Sequence, residues 1–219
     1  NLLGVSYGTR AALMYLQLFP QRVRTLVLDS VVPLGWNLGQ WGARDALRAF
    51  DLTTQRCQAD EACRAAFPNV SEQFDALLKQ LDSSPVEVTL DHPTTGEPET
   101  ITLTKETAAL TVRLMLYSSE FTALVPLVIE KAAAGDWEPL AAQVIMTGQS
   151  FSESLADGMY YSVLCSEDVP FYSEGAGSAG EGFSFDIESI QRQCELWPHK
   201  VQAADLRGPA ADGIRAGGG

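Results

Sequence analysis

Ser6 lies between two glycines in the stretch LLGVSYGT, residues 2–9, where an apolar run meets a helix-like segment. The pattern Gly4-x-Ser6-x-Gly8 is typical of a tight strand-to-helix turn that holds a serine hydroxyl clear of the sheet edge. We expect Ser6 to be a nucleophile, and the Tyr7 backbone N–H to be one donor to the oxyanion that its attack would create. The alternative is that Ser6 is only a small residue at a structural turn.

The elements around this serine predict a strand–helix–strand unit. Residues 1–5 are typical of the end of a buried strand, and residues 8–19 are apolar nearly all round, as in a helix packed inside an α/β layer. Pro20 ends this helix, and residues 23–29 form a mostly apolar run, typical of a parallel strand covered on both faces. We therefore interpret residues 1–32 as a fragment of an α/β core.

The pattern changes after residue 32. Residues 33–200 show mostly helical apolar spacing and no second strand–helix–strand unit, which predicts a separate helical domain. Residues 86–90 and 99–104 alternate around a polar turn, which predicts a β-hairpin. Residues 201–219 are rich in Gly and Ala, and we expect a disordered or unrelated tail. The predicted helices cover residues 41–50, 71–82, 105–117, 120–134, 136–147 and 186–196.

The composition argues against several classes of function. The 219 residues carry a formal net charge of −13 and a sequence pI of about 4.5, so we expect no nucleic-acid partner, which would need clustered Lys and Arg. No apolar run reaches the roughly 18 residues of a membrane span, so we expect no membrane partner. The sequence has no Cys-x-x-Cys pair and no His near a Cys at zinc-site spacing, so we expect no metal and no cofactor.

The four cysteines suggest disulfides. Cys57 and Cys63 bracket a short polar loop, and Cys165 and Cys194 flank the Gly/Ser-rich stretch SEGAGSAGEG. Among the pairings that four cysteines allow, we prefer Cys57–Cys63 and Cys165–Cys194. Buried free thiols are the alternative. Disulfides would imply an oxidising compartment, and therefore a secreted or periplasmic protein.

A nucleophilic serine needs a base, and the sequence holds only two histidines, His92 and His199. His92 precedes a proline in the predicted hairpin turn, so we interpret it as an exposed turn residue. His199 follows the last predicted helix and is a poor candidate for the base. Asp29 ends the second predicted strand, where an acid could orient a histidine, although a structural role suits it better.

Several segments resemble a known family. The segment GVSYGTRAALMYLQLFPQRVRTLVLDSVVP resembles the nucleophile elbow, the following helix and the next strand of α/β-hydrolases of the prolyl aminopeptidase and tripeptidyl aminopeptidase group. The segments CQADEACRAAFP, GMYYSVLCSEDVPF and CELWP resemble the cap domain of the secreted, tripeptidyl-aminopeptidase-like branch, and together these segments span most of residues 1–198. The resemblance implies a partial α/β-hydrolase sheet, a βαβ unit with the nucleophile elbow, followed by a mostly helical cap domain with a small hairpin.

The resemblance also implies where the remaining catalytic groups belong. In that family the chain returns from the cap to the sheet, where a catalytic Asp and then a His follow two strands. The sequence after Asp205 does not match this return, and neither the first strands nor the Gly-rich loop with the second oxyanion donor precedes Ser6. We therefore expect an internal piece of a longer hydrolase, without its catalytic Asp and His.

The implied function is a serine aminopeptidase that releases N-terminal residues or short peptides through an acyl-enzyme on Ser6. Its partner would be a peptide with a free N-terminus, whose ammonium group needs an anchor. Glu167, together with Asp168, is our candidate for that anchor in a low-dielectric cleft. The alternatives are that both are surface acids, that the enzyme is a serine esterase on the same fold, or that this chain by itself catalyses nothing.

Overall fold

The computed structural model describes residues 1–173, 183 and 187–202. The chain forms two compact units by its internal contacts. The first unit takes in Asn1–Leu38, Tyr161–Ser173 and the described part of Glu188–Gly219, and the second takes in Gly39–Tyr160 and the described part of Glu174–Ile187. The predicted domain boundaries at residues 32 and 200 stay predictions. The predicted tail lies outside the described residues from residue 203 onward.

A strand–helix–strand unit forms the N-terminal part of the first unit, as the sequence predicts. Its elements are β1 (Leu2–Val5), α1 (Tyr7–Leu18), a 3₁₀ turn (Pro20–Arg22) and β2 (Leu26–Asp29). The two strands are parallel, with Leu2 opposite Leu26 and Val5 opposite Asp29. The backbone N–H of Ser6 continues this ladder by donating to the Asp29 carbonyl oxygen at 3.0 Å. Ser6 therefore lies at the carboxyl edge of the sheet, where β1 gives way to α1.

The sheet is more exposed than its apolar sequence predicts. Leu3, Val5 and Val27 are 72%, 55% and 58% exposed. The described chain therefore covers neither both faces of this sheet nor all of α1, since Leu18 is also half exposed. An internal piece without the other strands of its sheet is expected to expose such an apolar face. The physical reason is that an apolar run reports a preference for burial, whereas burial itself requires a second packed layer.

The two glycines beside Ser6 differ in whether the structure leaves room for a side chain. A Cβ atom on Gly4 would lie 2.6 Å from the Gly8 carbonyl oxygen and 2.8 Å from the Thr9 Cα, so β1 and α1 approach too closely for a side chain there. A Cβ atom on Gly8 would meet no atom within 4 Å. The steric argument for glycine therefore applies to Gly4 and not to Gly8.

We expect Gly4→Ala to lower the free energy of unfolding of this chain by about 1–3 kcal/mol, because the atoms that face Gly4 belong to the backbone and cannot rotate away. Gly8→Ala is the matched control, and it should leave stability unchanged or raise it by up to about 1 kcal/mol, since alanine favours a helix. Urea unfolding followed by circular dichroism measures both. Equal effects of the two substitutions would contradict the close approach of β1 and α1.

The second unit packs helices around a main apolar core and against a hairpin. Its elements are α2 (Gly42–Ala59), α3 (Glu61–Ala66), α4 (Val70–Ser83), β3 (Val86–Asp91), β4 (Pro98–Leu103), α5 (Lys105–Met115), α6 (Ser119–Ala133) and α7 (Glu138–Ser154). α4 packs against α5 and α6, and β3 packs against α7. The rings of Phe50, Phe74 and Phe183 contact one another at tilted angles within the main core. The structure thus confirms the predicted hairpin and the predicted long helices of this unit.

The two predicted disulfides are present. Cys57 and Cys63 join α2 to α3, with their Cα atoms 5.0 Å apart. Cys165 and Cys194 join α8 (Asp157–Glu167) to α9 (Ile187–Leu196), with their Cα atoms 5.2 Å apart. The sequence patterns indicated neither α3 nor α8, and they placed Cys63 at the end of a polar loop. In the structure Asp60 caps α3 by accepting the Cys63 N–H at 2.8 Å.

The described chain is mixed α/β, mainly helical with two small two-stranded sheets. This architecture agrees with the predicted class, an α/β fold with a helical region. None of the described helices combines the length and the apolar character that crossing a membrane requires.

Candidate active site

Ser6 is exposed to solvent, and its backbone has a conformation that residues other than glycine rarely adopt. Its φ is 53° and its ψ is −124°, between the last residue of β1 and the first residue of α1. Such a conformation costs about 1–3 kcal/mol and persists only where neighbouring contacts impose it. Ser6 also occupies the N-cap position of α1, yet its side chain makes no capping hydrogen bond. The hydroxyl is therefore displayed at the turn and is not used to hold the helix.

Thr9 provides contacts that impose this conformation. Its N–H and its hydroxyl both donate to the Ser6 carbonyl oxygen, at 3.0 and 2.7 Å. The same hydroxyl accepts the Val32 N–H at 2.8 Å, and the Thr9 side chain is completely buried. Thr9 thus ties the serine turn to the chain that leaves β2. Sequence reasoning missed this role, although a hydroxyl on a largely apolar helix was the available signal.

The N-terminus of α1 lies directly beside Ser6. α1 begins at Tyr7, and the N–H groups of a first helical turn have no acceptor within the helix. They also carry the positive end of the helix dipole. An oxyanion formed by attack of Ser6 would meet this positive end, with the Tyr7 N–H as the nearest backbone donor in the sequence.

Neither histidine is hydrogen-bonded to Ser6 in the described part of the chain. Nδ1 of His92 contacts the Thr94 hydroxyl at 3.1 Å, as part of the hairpin turn. Nδ1 of His199 lies 2.7 Å from the Trp197 carbonyl oxygen. Asp29 accepts a hydrogen bond from the neighbouring Ser30 hydroxyl at 3.1 Å. The structure therefore supports the turn position of His92 and gives Asp29 no histidine to orient among these contacts.

A buried ion pair connects α1 to the end of α8. The two Nη atoms of Arg10 each lie 3.0 Å from an oxygen of Asp168, and both side chains are almost completely buried. Asp168 also accepts the Leu38 N–H at 2.9 Å, and Arg10 also donates to the Trp36 carbonyl oxygen. Burial and bidentate pairing favour a holding role for Asp168 over direct contact with a ligand. As one of two strongly polar residues in an apolar helix, Arg10 was the sequence signal for this pair.

Glu167 has different surroundings from its neighbour Asp168. Its Oε1 accepts the Tyr7 hydroxyl at 2.9 Å, and its Oε2 lies 3.4 Å from Nη1 of Arg10. Its side chain is 19% exposed and lines a cavity of about 290 Å³ within the first unit. The other lining residues are Tyr7, Arg10, Ala11, Met14, Tyr15, Leu18, Phe19 and Gln202. The lining therefore combines the Glu167 carboxylate and the Arg10 guanidinium with a mostly apolar wall supplied by α1.

Tyr7 remains a hydrogen-bond donor well above neutral pH. Burial raises the pKa of its hydroxyl to about 12, and the hydrogen bond to Glu167 adds to the rise. Ionising Tyr7 would place a second anion beside Glu167, so the protonated form is favoured there. The Tyr7 hydroxyl thus holds Glu167 in one orientation, while its backbone belongs to the serine turn. Among the described residues, no group of three or more His, Cys, Asp or Glu is placed to hold a metal ion.

Comparison with known proteins finds a distant similarity to a curated protein. No protein-family model and no solved structure matches the chain. A curated protein of Escherichia coli (strain K12), named "Putative hydrolase YuaR", is 25% identical over 213 residues. The match covers 88% of this chain and 40% of that protein, so the chain spans about two fifths of the length of this relative. The name of that protein gives hydrolase activity of no stated kind, and the name belongs to that protein.

Proposed function

We propose that Ser6 is the nucleophile of a serine aminopeptidase, related to the tripeptidyl-aminopeptidase-like branch of the α/β-hydrolases, that cleaves peptides near a free N-terminus. The observation that carries the proposal is the exposed Ser6, held at positive φ between a parallel strand and the N-terminus of α1. The similarity to a hydrolase supports the reaction class. The resemblance of the sequence to this branch supports the kind of bond that is cleaved.

The reaction would proceed in two steps through an acyl-enzyme. The Ser6 Oγ attacks the scissile carbonyl carbon while a base takes its proton. The Tyr7 N–H stabilises the resulting oxyanion. The C–N bond then breaks, and the leaving amine takes the proton from the base. Water, activated by the same base, attacks the acyl carbon, releases the N-terminal peptide as an acid and restores the Ser6 hydroxyl.

The base belongs, in this proposal, to a longer protein that carries this chain, here called the whole hydrolase. The two histidines of the sequence make other contacts in the described structure, and the similar E. coli protein is much longer than the chain. In the whole hydrolase a histidine oriented by an acid would complete the serine site. By itself the chain would then provide the nucleophile, one oxyanion donor and the substrate anchor, and it would hydrolyse peptides poorly or not at all.

Glu167 is the proposed anchor for the ammonium group of the substrate. Among the described residues it is the acid that lines the cavity, and the Tyr7 hydroxyl connects it to the residue after Ser6. A carboxylate in a cavity with an apolar wall attracts an ammonium group more strongly than one in water. The two disulfides favour an oxidising compartment, so we place the enzyme outside the cytoplasm.

The competing proposal is a serine esterase that uses the same Ser6. To separate the two, we would assay the whole hydrolase with trialanine p-nitroanilide, its N-acetyl form and p-nitrophenyl butyrate. An aminopeptidase should cleave the free-amine anilide with a kcat/KM at least about tenfold above that of the N-acetyl form. Cleavage of the ester alone would contradict the aminopeptidase proposal and support the esterase.

A further inference from the structure

Glu167 and Asp168 are adjacent acids that share one cation, Arg10. The guanidinium makes two 3.0 Å contacts to Asp168 and one longer contact, 3.4 Å, to Glu167. The Asp168 side chain is completely buried, whereas that of Glu167 is 19% exposed on the cavity. Two carboxylates and one guanidinium leave one negative charge in the cluster. The distances assign the positive charge of Arg10 mainly to Asp168.

We propose that Asp168 is a positioning residue: it engages both Nη atoms of Arg10 and so keeps the charge of Glu167 available for the ammonium group of a substrate. The inference rests on the proposed aminopeptidase function and deepens it, because it explains how Glu167 keeps a charge for substrate although Arg10 lies 3.4 Å away. Asp168 itself touches no substrate in this arrangement. Its effect is to decide where the guanidinium lies.

Backbone groups hold Arg10 and Asp168 in their pair. Asp168 is held from a second side, because its Oδ1 accepts the Leu38 N–H at 2.9 Å. Arg10 is held in the same way, because its Nη2 also donates to the Trp36 carbonyl oxygen. A bidentate guanidinium–carboxylate pair has a defined geometry as well as strong attraction. The pair is therefore fixed by the chain that follows β2, and not by its own two side chains alone.

Without Asp168, Glu167 would be the nearest acid to Arg10 among these contacts. Nη1 of Arg10 already lies 3.4 Å from Oε2 of Glu167. An unpaired buried guanidinium is strongly unfavourable, so it would turn toward the remaining carboxylate. That new pair would be neutral, and the cavity would lose its attraction for an ammonium group. The Tyr7 hydroxyl, which donates to Oε1 at 2.9 Å, would still orient Glu167. A neutral hydroxyl could not offset the positive charge of Arg10 in the new pair.

The test measures binding apart from catalysis. In the whole hydrolase carrying Ser6→Ala, which prevents turnover, isothermal calorimetry would give the Kd of trialanine amide and of N-acetyl trialanine amide. We expect Asp168→Asn to weaken binding of the free-amine peptide by about tenfold or more and to change binding of the N-acetyl peptide by less than about twofold. The double variant Arg10→Met/Asp168→Asn contains no cation that could neutralise Glu167. It should bind the free-amine peptide within about threefold of the parent.

The double variant also keeps the test decisive if Asp168→Asn fails to fold, because it leaves no unpaired buried charge. If the double variant has lost its preference for the free amine, the proposed role of Asp168 is overturned. An unchanged preference in Asp168→Asn, or an equal loss for both peptides, also overturns it. A parent protein that binds both peptides equally would instead overturn the aminopeptidase function on which the inference rests.

Discussion

Ser6→Ala should reduce kcat of the whole hydrolase for the free-amine anilide by about 10⁴-fold or more, with little change in KM. Loss of the nucleophilic serine reduces kcat by about 10⁶-fold in a serine protease where it has been measured, because the acyl-enzyme path is closed. KM should change little, since the Ser6 hydroxyl makes its bond to the substrate only during the reaction. Initial rates of anilide cleavage, measured from low to saturating substrate, give both quantities.

Ser30→Ala is the matched control for this substitution. Ser30 is the other described non-glycine residue at positive φ, with a φ of 57°, and it follows β2 as Ser6 follows β1. Its hydroxyl donates to Asp29, so it is not displayed in the same way. We expect Ser30→Ala to keep kcat within about threefold of the unsubstituted enzyme. Comparable losses in the two variants would show that strain at the sheet edge, and not the Ser6 nucleophile, accounts for the effect.

Glu167→Gln should raise KM for free-amine peptides by about 10–100-fold and leave kinetics on N-acetyl peptides nearly unchanged. A hydrogen bond to a charged group contributes about 1.5–3 kcal/mol, and each 1.4 kcal/mol corresponds to about tenfold in binding. Glutamine has the shape of glutamate and can still accept the Tyr7 hydroxyl, so the substitution removes mainly the charge. Steady-state kinetics on the free-amine and N-acetyl anilides measure the difference.

Glu195→Gln is the control for the change in net charge. Glu195 is an exposed acid on α9, in the same compact unit as Glu167, and it does not line the cavity. Its substitution should leave KM for both peptides within about twofold. If Glu167→Gln reduces activity equally on free-amine and N-acetyl peptides, Glu167 supports the fold or the chemistry and is not the anchor. The choice of substrate pair thus separates recognition of the amine from general damage.

The sequence was sufficient for the local elements of the site. The strand, the glycine-flanked Ser6 and the following apolar helix are consecutive, so short-range geometry determines the turn between them. The hairpin and the long helices also follow from periodicity within single segments. The disulfide pairs followed from cysteine positions along the chain, although the sequence did not predict the helices α3 and α8 that hold two of the four cysteines.

The sequence did not determine which apolar side chains of the sheet are exposed to solvent. Leu3 and Val27 belong to runs that favour burial on both faces, yet both are more than half exposed in the described chain. The two glycines beside Ser6 look equivalent in the sequence, but only Gly4 faces backbone atoms at less than 3 Å from the site of a Cβ. Both differences depend on which element packs against a residue, and that information lies outside the segment itself.

The distinction between Glu167 and Asp168 required the tertiary structure most clearly. The two acids are adjacent and carry the same charge, so the sequence makes them equal candidates for an anchor. α8 ends at Glu167, and the chain then directs Asp168 toward Arg10, 158 residues earlier, while Glu167 reaches the cavity. Local sequence determined that a sharp turn with an exposed serine could form. Only folding decided which acid is buried against a guanidinium, because electrostatic partners are chosen by distance in space and not by distance along the chain.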